Sequence, residues 1–401
     1  MCDGLASKPN PVNLTGAADF DRPVFNYGEL RKKGGTLASD PNVTSVTVVG
    51  ASKIGYDAVY MFAGHGKKVD WVICKSGGGA VWKSPPWIKM GPWTVMLEHI
   101  FSPCIWGDFD GFGWIRAFLA RTRVGRWLTD SLWEKIRVDT VDGNGYRKGQ
   151  SLKHLEPWES RHLELQHRRA RPPPFRPGHD PSQRHFPIAR RQDAVVQITG
   201  WQLTPTITWK SDGIDASIGI PSTNYSLENH KFWNDLDQKA DSHILHQFPR
   251  LKTPPTKKLL FTQPITPMRL YRGVAPPGLT ASGDRSLCFL KMVHCTSNLV
   301  LAETQALWAF AYLNDKLDIE EQNVHWDTAL TSRFGKWRYP WGFSQWYPEF
   351  VYDAVPYADM LLTDFGVRRW REVFEGYSVR DLWGICGEWV ERQGEGGVSR
   401  L

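Results

Sequence analysis

The clearest hydrophobic pattern in the chain lies between Thr44 and Cys74. A β-branched run, Val46-Thr47-Val48-Val49, meets Gly50. Ile54, Ala58, Met61, Phe62 and His65 then recur at helical spacing, and Gly64 and Gly66 end the stripe. A second apolar run, Val69 to Cys74, follows. Strand, glycine turn, helix and strand predict one βαβ unit. Other segments are patterned more weakly. Asp193 to Gly200 and Ser286 to Leu290 read as buried strands. Trp114 to Ile136, residues 222–247 and Leu299 to Leu313 read as helices, the last packed on most sides. Residues 1–45 show no complete strand, and Phe25 to Gly35 reads as a short irregular segment. Gly111-Phe112-Gly113 and Gly143-Asn144-Gly145 follow no apolar strand, so both read as turns.

Length allows two or three domains in the 401 residues. The net charge of +7 would suggest a nucleic-acid partner, but it is local. Between Trp158 and Gln192, eight arginines stand against three acids, which makes +5 and leaves +2 for the rest. With six prolines and four histidines, that stretch loses all apolar periodicity. It reads as a disordered basic linker, as a nucleic-acid-binding arm, or as sequence outside the native reading frame. The abrupt return of pattern at Asp193 favours the last, and a nucleic-acid partner is not expected.

The six cysteines form no C-x-x-C pair, so zinc or redox-disulfide spacing is absent and a reduced, cytoplasmic protein is expected. Met1-Cys2-Asp3-Gly4 has no signal-peptide character, and Leu299 to Leu313 is too short and polar to span a bilayer. Most of the 20 tryptophans should pack in cores. The aromatic-rich tail from 325 reads as a helical cap or a homo-oligomer surface.

The βαβ unit carries the readable chemistry. Gly50, Ser52 and Gly55 stand as G-x-S-x-x-G at its turn. Gly50 lets the strand turn sharply, a small Ser52 lets backbone N–H groups approach a pyrophosphate, and Gly55 lets the helix pack closely. The helix N-terminus adds free donors and partial positive charge. An NAD site would place Asp or Glu after the second strand to bond the ribose 2′-hydroxyl. Lys75-Ser76-Gly77 stands there instead, and a cation with a hydroxyl suits the 2′-phosphate of NADP. Lys53, inside the turn, is a second candidate for that phosphate.

These residues resemble the flavin-containing monooxygenases, especially fungal dimethylaniline monooxygenase-like proteins. Val48-Val49-Gly50-Ala51-Ser52-Lys53-Ile54-Gly55-Tyr56-Asp57 is similar to the family's NADP-binding turn, with Gly50, Ser52, Gly55 and Asp57 at motif positions. Lys75-Ser76 sits where the family has a basic residue and a serine. Val196 to Trp201, with Thr199-Gly200, resembles the strand that returns toward the flavin domain. Phe289 to Trp308 is similar to that domain's closing strand and helix. His294 and Arg285 flank that strand and read as a satisfied core histidine and a surface arginine, with a flavin contact as the alternative.

The resemblance covers about 1–156 and 193–390. It implies an α/β fold: a Rossmann-type NADP-binding domain inserted in the remnant of a two-dinucleotide-binding domain, with an aromatic-rich helical end. The corresponding division is 1–45 linker, 46–156 NADP domain, 157–192 aberrant segment, 193–313 flavin-domain remnant and 314–401 cap. The implied cofactors are FAD and NADP, and the implied partners are O₂ and a nucleophilic nitrogen, sulfur or carbonyl substrate. In the family, NADPH reduces FAD, and a flavin hydroperoxide then transfers oxygen. The family's first G-x-G-x-x-G, for FAD, has no counterpart here, and Met1 to Gly4 resembles a strand end that should lie well beyond it. A truncated chain is therefore expected, and a non-catalytic NADP-binding remnant is the alternative to an active enzyme.

Overall fold

The computed structural model describes residues 9, 14–15, 19–73, 87–90, 93–96, 113–149, 186–187, 193–198, 209–210, 214–223, 226–252, 266–295, 298–338, 347–348, 350, 353–368 and 379–398. The chain divides into two units: 6–84 with 134–202, and 1–5, 85–133 with 203–401.

The first unit is built on a four-stranded parallel sheet. Its elements are β1 (Val24–Asn26), α1 (Tyr27–Ser39), β2 (Ser45–Val49), α2 (Lys53–Gly64), β3 (Lys68–Val72) and β4 (Ala194–Gln197). The strand order is β1-β4-β2-β3. β2 and β4 are central, and their valines are buried on both faces (Val46, Val48 and Val196 at 0% exposure). Continuous β-branched runs suit that position, because both faces of a parallel sheet are covered. Register runs from Val46↔Ala194 to Val49↔Gln197 on one side of β2 and from Ser45↔Lys68 to Val49↔Val72 on the other.

Phe25 to Gly35 is not irregular, since it completes β1 and forms most of α1. Asn26 ends the strand and starts the helix with a capping box: its side chain accepts from Gly28 N at 2.8 Å, while Glu29 Oε2 accepts from Asn26 N at 3.3 Å. Gly28, Gly34 and Gly35 hide this helix from periodicity. Gly34 has a packing reason, since a Cβ there would lie 2.8 Å from Met61 Cε on α2.

Asp193 locks the two central strands at their start. Its Oδ2 accepts from Thr44 N at 2.7 Å, Thr44 Oγ1 at 2.9 Å and Ser45 N at 2.9 Å. The Thr44 amide, foremost among these donors, holds the Asp193 carboxyl below the usual range.

The second unit is chiefly helical among its described residues. It contains α3 (Gly113–Arg121), the start of α4 (Arg123–Gly143), α5 (Leu227–Gln247), α6 (Asn298–Leu313), α7 (Val324–Arg338), α8 (Ala354–Asp364) and α9 (Ile385–Val398). The segment expected as one helix at 114–136 is broken at Thr122 into α3 and α4, the helix expected at 222–247 begins at Leu227, and the helix expected at 299–313 is present. α6 is buried around most of its circumference, with Trp308 and Tyr312 stacked 5.1 Å apart. Ser286 to Leu290 is not a strand. Phe289 is fully buried, but its N–H bonds Val274 O at 2.8 Å without a ladder around it. Burial there comes from packing between loops, so an apolar run misleads. Gly143 is the last residue of α4, and Asn144 and Gly145 begin the turn that follows, with Gly145 at φ +65°. Gly113, expected in a turn, opens α3 instead, and Gly111 and Phe112 lie outside the described residues.

Buried ion pairs join these elements. Arg269 forks onto Asp237 of α5 with two contacts of 2.8 Å. Arg333 of α7 reaches Asp241 at 2.7 Å, and Trp337 Nε1 donates to the same carboxylate at 2.7 Å. Arg272 forks onto Asp364 of α8 at 3.0 and 3.2 Å, and Trp308 Nε1 donates to Asp364 at 2.8 Å. Trp308 and Trp337 therefore carry satisfied N–H groups, whereas the buried Nε1 of Trp389 finds no partner among the described residues. No described helix is long and apolar enough to cross a membrane.

Candidate functional site

The site grows from the junction of β2 and α2. Val49 O accepts from Ile198 N at 2.7 Å, so β4 holds β2 to its last residue. Gly50 then turns at φ +109° and donates its N–H to Val72 O at 3.0 Å. A Cβ on Gly50 would sit 1.9 Å from Ile198 O, so conformation and space both demand glycine. Ser52 is the N-cap of α2, extended at φ −71° and ψ 176°, and its side chain makes no capping hydrogen bond. The first N–H groups of α2 therefore keep their free character at the mouth of the turn. Gly55 is buried against the turn: a Cβ there would lie 2.7 Å from Gly50 O. The expected roles of Gly50 and Gly55 in forming the turn thus have physical counterparts.

Two aromatic residues that the motif did not single out secure this geometry. Trp71, on β3, donates Nε1–H to Gly50 O at 2.8 Å. Tyr56, in the first turn of α2, meets the Trp71 ring edge-on with centroids 4.8 Å apart. Burial pushes the Tyr56 phenol above its ordinary range, and neighbouring Tyr146 adds to the shift. The available sequence signal was Trp71 itself, a large polar-tipped aromatic on the strand beside the turn.

The remaining candidates separate. Ala51 lies in the turn, half-buried, and Lys53 is exposed at the first position of α2. Asp57 is exposed on the second turn of α2, one residue beyond the first. His65 is the exposed C-cap of α2, outside its buried face, with Nδ1 2.8 Å from Met61 O. Lys75, Ser76, Thr199 and Gly200 lie outside the described residues, as does nearly all of 158–192. His294 is exposed rather than in a core; its backbone bridges Pro348 O at 2.8 Å and Phe350 N at 2.7 Å. Arg285 is not a surface arginine, since its side chain is 10% exposed, donating to Thr280 O at 2.7 Å and pairing with Glu321 at 3.0 Å. Among the described residues no group of His, Cys, Asp and Glu is placed to hold a metal.

A dinucleotide can be tested against this geometry directly. A sharp glycine turn, a small N-cap residue with an unused hydroxyl and an uncapped helix N-terminus fit a pyrophosphate. We assign no described residue to FAD.

The chain is 27% identical to the FAD-dependent monooxygenase rstn6 of Aspergillus nomiae, across 98% of this chain and 74% of that protein. It is 28% identical to the FAD-dependent monooxygenase DEP4 of Fusarium langsethiae, across 95% and 72%. It is 26% identical to the FAD-dependent monooxygenase resA of Aspergillus sclerotiorum, across 97% and 74%. No family model and no solved structure matches the chain. Similarity of this extent supports an enzyme of flavin monooxygenase type, without pointing to the dimethylaniline branch in particular.

Proposed function

We propose that this chain is an FAD- and NADPH-dependent monooxygenase whose β2-α2-β3 unit binds the nicotinamide dinucleotide. The observation that carries the reading is the Gly50 turn at the uncapped N-terminus of α2, in a chain similar nearly end to end to FAD-dependent monooxygenases. The pyrophosphate would meet the N–H groups of Ala51 through Gly55, and Lys75 and Ser76 would take the 2′-phosphate. Lys53 is the second cation for that phosphate, and Asp57 sits on the adjoining helix face. Thr199-Gly200, just beyond β4, would lead the chain back toward the flavin. Bound FAD would supply the redox chemistry, accepting a hydride from NADPH and activating O₂ for transfer to a soft nitrogen, sulfur or carbonyl centre. This chain's own described residues position the electron donor: Gly50 and Gly55 bring backbone close to the phosphates, and the α2 dipole favours their charge.

The test begins with the purified full chain, FAD and NADP⁺. Retention of FAD together with NADPH-dependent O₂ uptake, stimulated by a tertiary amine, thioether or ketone, is expected. Binding of NADP⁺ without any retention of FAD would overturn the monooxygenase reading and leave a non-catalytic nucleotide-binding protein. Binding of neither cofactor would overturn both.

A further inference from the structure

We propose that Trp71 is a positioning residue that latches the Gly50–Ala51 peptide so that the Ala51 N–H faces the cofactor's pyrophosphate. The inference rests on the nucleotide reading of this turn, and assigns within it a residue outside the glycine motif.

A trans peptide is planar, and its C=O and the following N–H point in opposite directions. Trp71 Nε1 holds Gly50 O at 2.8 Å, on the side of the turn where β3 and α2 pack. The Ala51 N–H must therefore point away from Trp71, out of that packed side. Among the described residues no acceptor takes that N–H. The neighbouring backbone groups are already committed: Gly50 N bonds Val72 O at 3.0 Å, and Val49 O receives Ile198 N at 2.7 Å.

A latch has work to do at this peptide. Gly50 permits the positive φ that the turn needs, and for the same reason permits the opposite orientation of the next peptide plane. A flipped plane would aim a carbonyl oxygen at the phosphates and repel them. The indole bond selects one orientation. Tyr56 holds the indole in place from α2, edge-on at 4.8 Å, and Gly55 leaves room for the acceptor, since a Cβ there would stand 2.7 Å from Gly50 O. The strand that ends near Lys75 thus also supplies the residue that orients the phosphate turn.

The experiment compares the full-length wild-type chain with Trp71→Phe, which keeps a ring and removes the N–H donor. Calorimetry reads three ligands: NADP⁺, NAD⁺ and adenosine 2′-phosphate, which lacks a pyrophosphate. The latch predicts that Trp71→Phe weakens NADP⁺ and NAD⁺ by a common factor of about tenfold, the scale of one orienting hydrogen bond. Affinity for adenosine 2′-phosphate should not change. Unchanged NADP⁺ affinity in folded Trp71→Phe overturns the proposal, as does an equal loss for all three ligands, which would show general damage. Amide exchange in the wild type gives a reading independent of the variant's folding. NADP⁺ should slow exchange of the Ala51 amide, and adenosine 2′-phosphate should not; the absence of NADP⁺ protection there overturns the latch. Wild-type chain that binds none of the three ligands would instead overturn the nucleotide reading itself, and the latch with it.

Discussion

Gly50 and Gly55 are adjacent in space but are glycines for different reasons. Gly50 combines φ +109° with a Cβ position 1.9 Å from Ile198 O, so alanine there is strained twice. Gly55 has ordinary helical geometry and is excluded only by the 2.7 Å approach to Gly50 O. Gly55→Ala should cost about 1–3 kcal/mol, the scale of a forced backbone shift, and Gly50→Ala should cost more. Denaturant unfolding of both variants checks the order. Asp193 offers a pH test. Its folded carboxyl lies below the ordinary value because Thr44 and Ser45 donate to it, the Thr44 amide foremost. A depressed folded pKa means that its stabilising contribution is present above about pH 4, the unfolded value, and is lost as pH falls through the folded value. The melting-temperature gap between wild type and Asp193→Asn should therefore shrink below about pH 4. A gap that stays constant down to pH 2 would show that the contribution is not ionic.

Helices α5 and α7 are joined through charge inside an otherwise apolar contact. Ala240, Ile244, Leu330 and Phe334 bury the apolar part, Arg333 of α7 reaches Asp241 at 2.7 Å and Asp237 at 3.3 Å on α5, and Asp237 also pairs with Arg269, which lies outside both helices and is, like Asp237, 7% exposed. Removing one partner of a buried pair strands the other charge. Asp237→Ala should thus destabilise by about 3–5 kcal/mol, whereas Asp237→Leu combined with Arg269→Met should cost much less. A double-mutant cycle in urea measures the difference. The elements themselves were unevenly legible. β2, α2 and β3 followed from periodicity, because β2 buries both faces, α2 buries one regular face, and β3 lays Val69 and Trp71, half-buried, against the same core. α1 did not, because three glycines interrupt its pattern and its reasons for forming lie in the Asn26–Glu29 cap and close packing on α2. Ser286 to Leu290 has a strand's composition without a strand's partners.

For the whole molecule, the nucleotide reading places its effects in one of the two units. NADP⁺ should slow amide exchange at the β2–α2 turn, Gly50 to Gly55, and leave the core of α6 in the other unit unchanged. Hydrogen-exchange mass spectrometry decides this, and equal protection in both units would contradict a site built on the turn alone. The local βαβ signal was determined by sequence because strand and helix periods are properties of neighbouring residues, as is the need for glycine where a chain turns sharply. What only the tertiary structure decided is who stands beside that unit. β4, some 145 residues further along, enters between β1 and β2, and its Ile198 carbonyl occupies the space that a Gly50 side chain would need. Asp193 reaches back to Thr44 across the same gap, and Trp71 reaches from β3 to the Gly50 carbonyl. Periodicity records which faces are apolar, but not which distant edge will satisfy a given backbone group. That choice is made when the sheet closes and each buried N–H and C=O must find a partner.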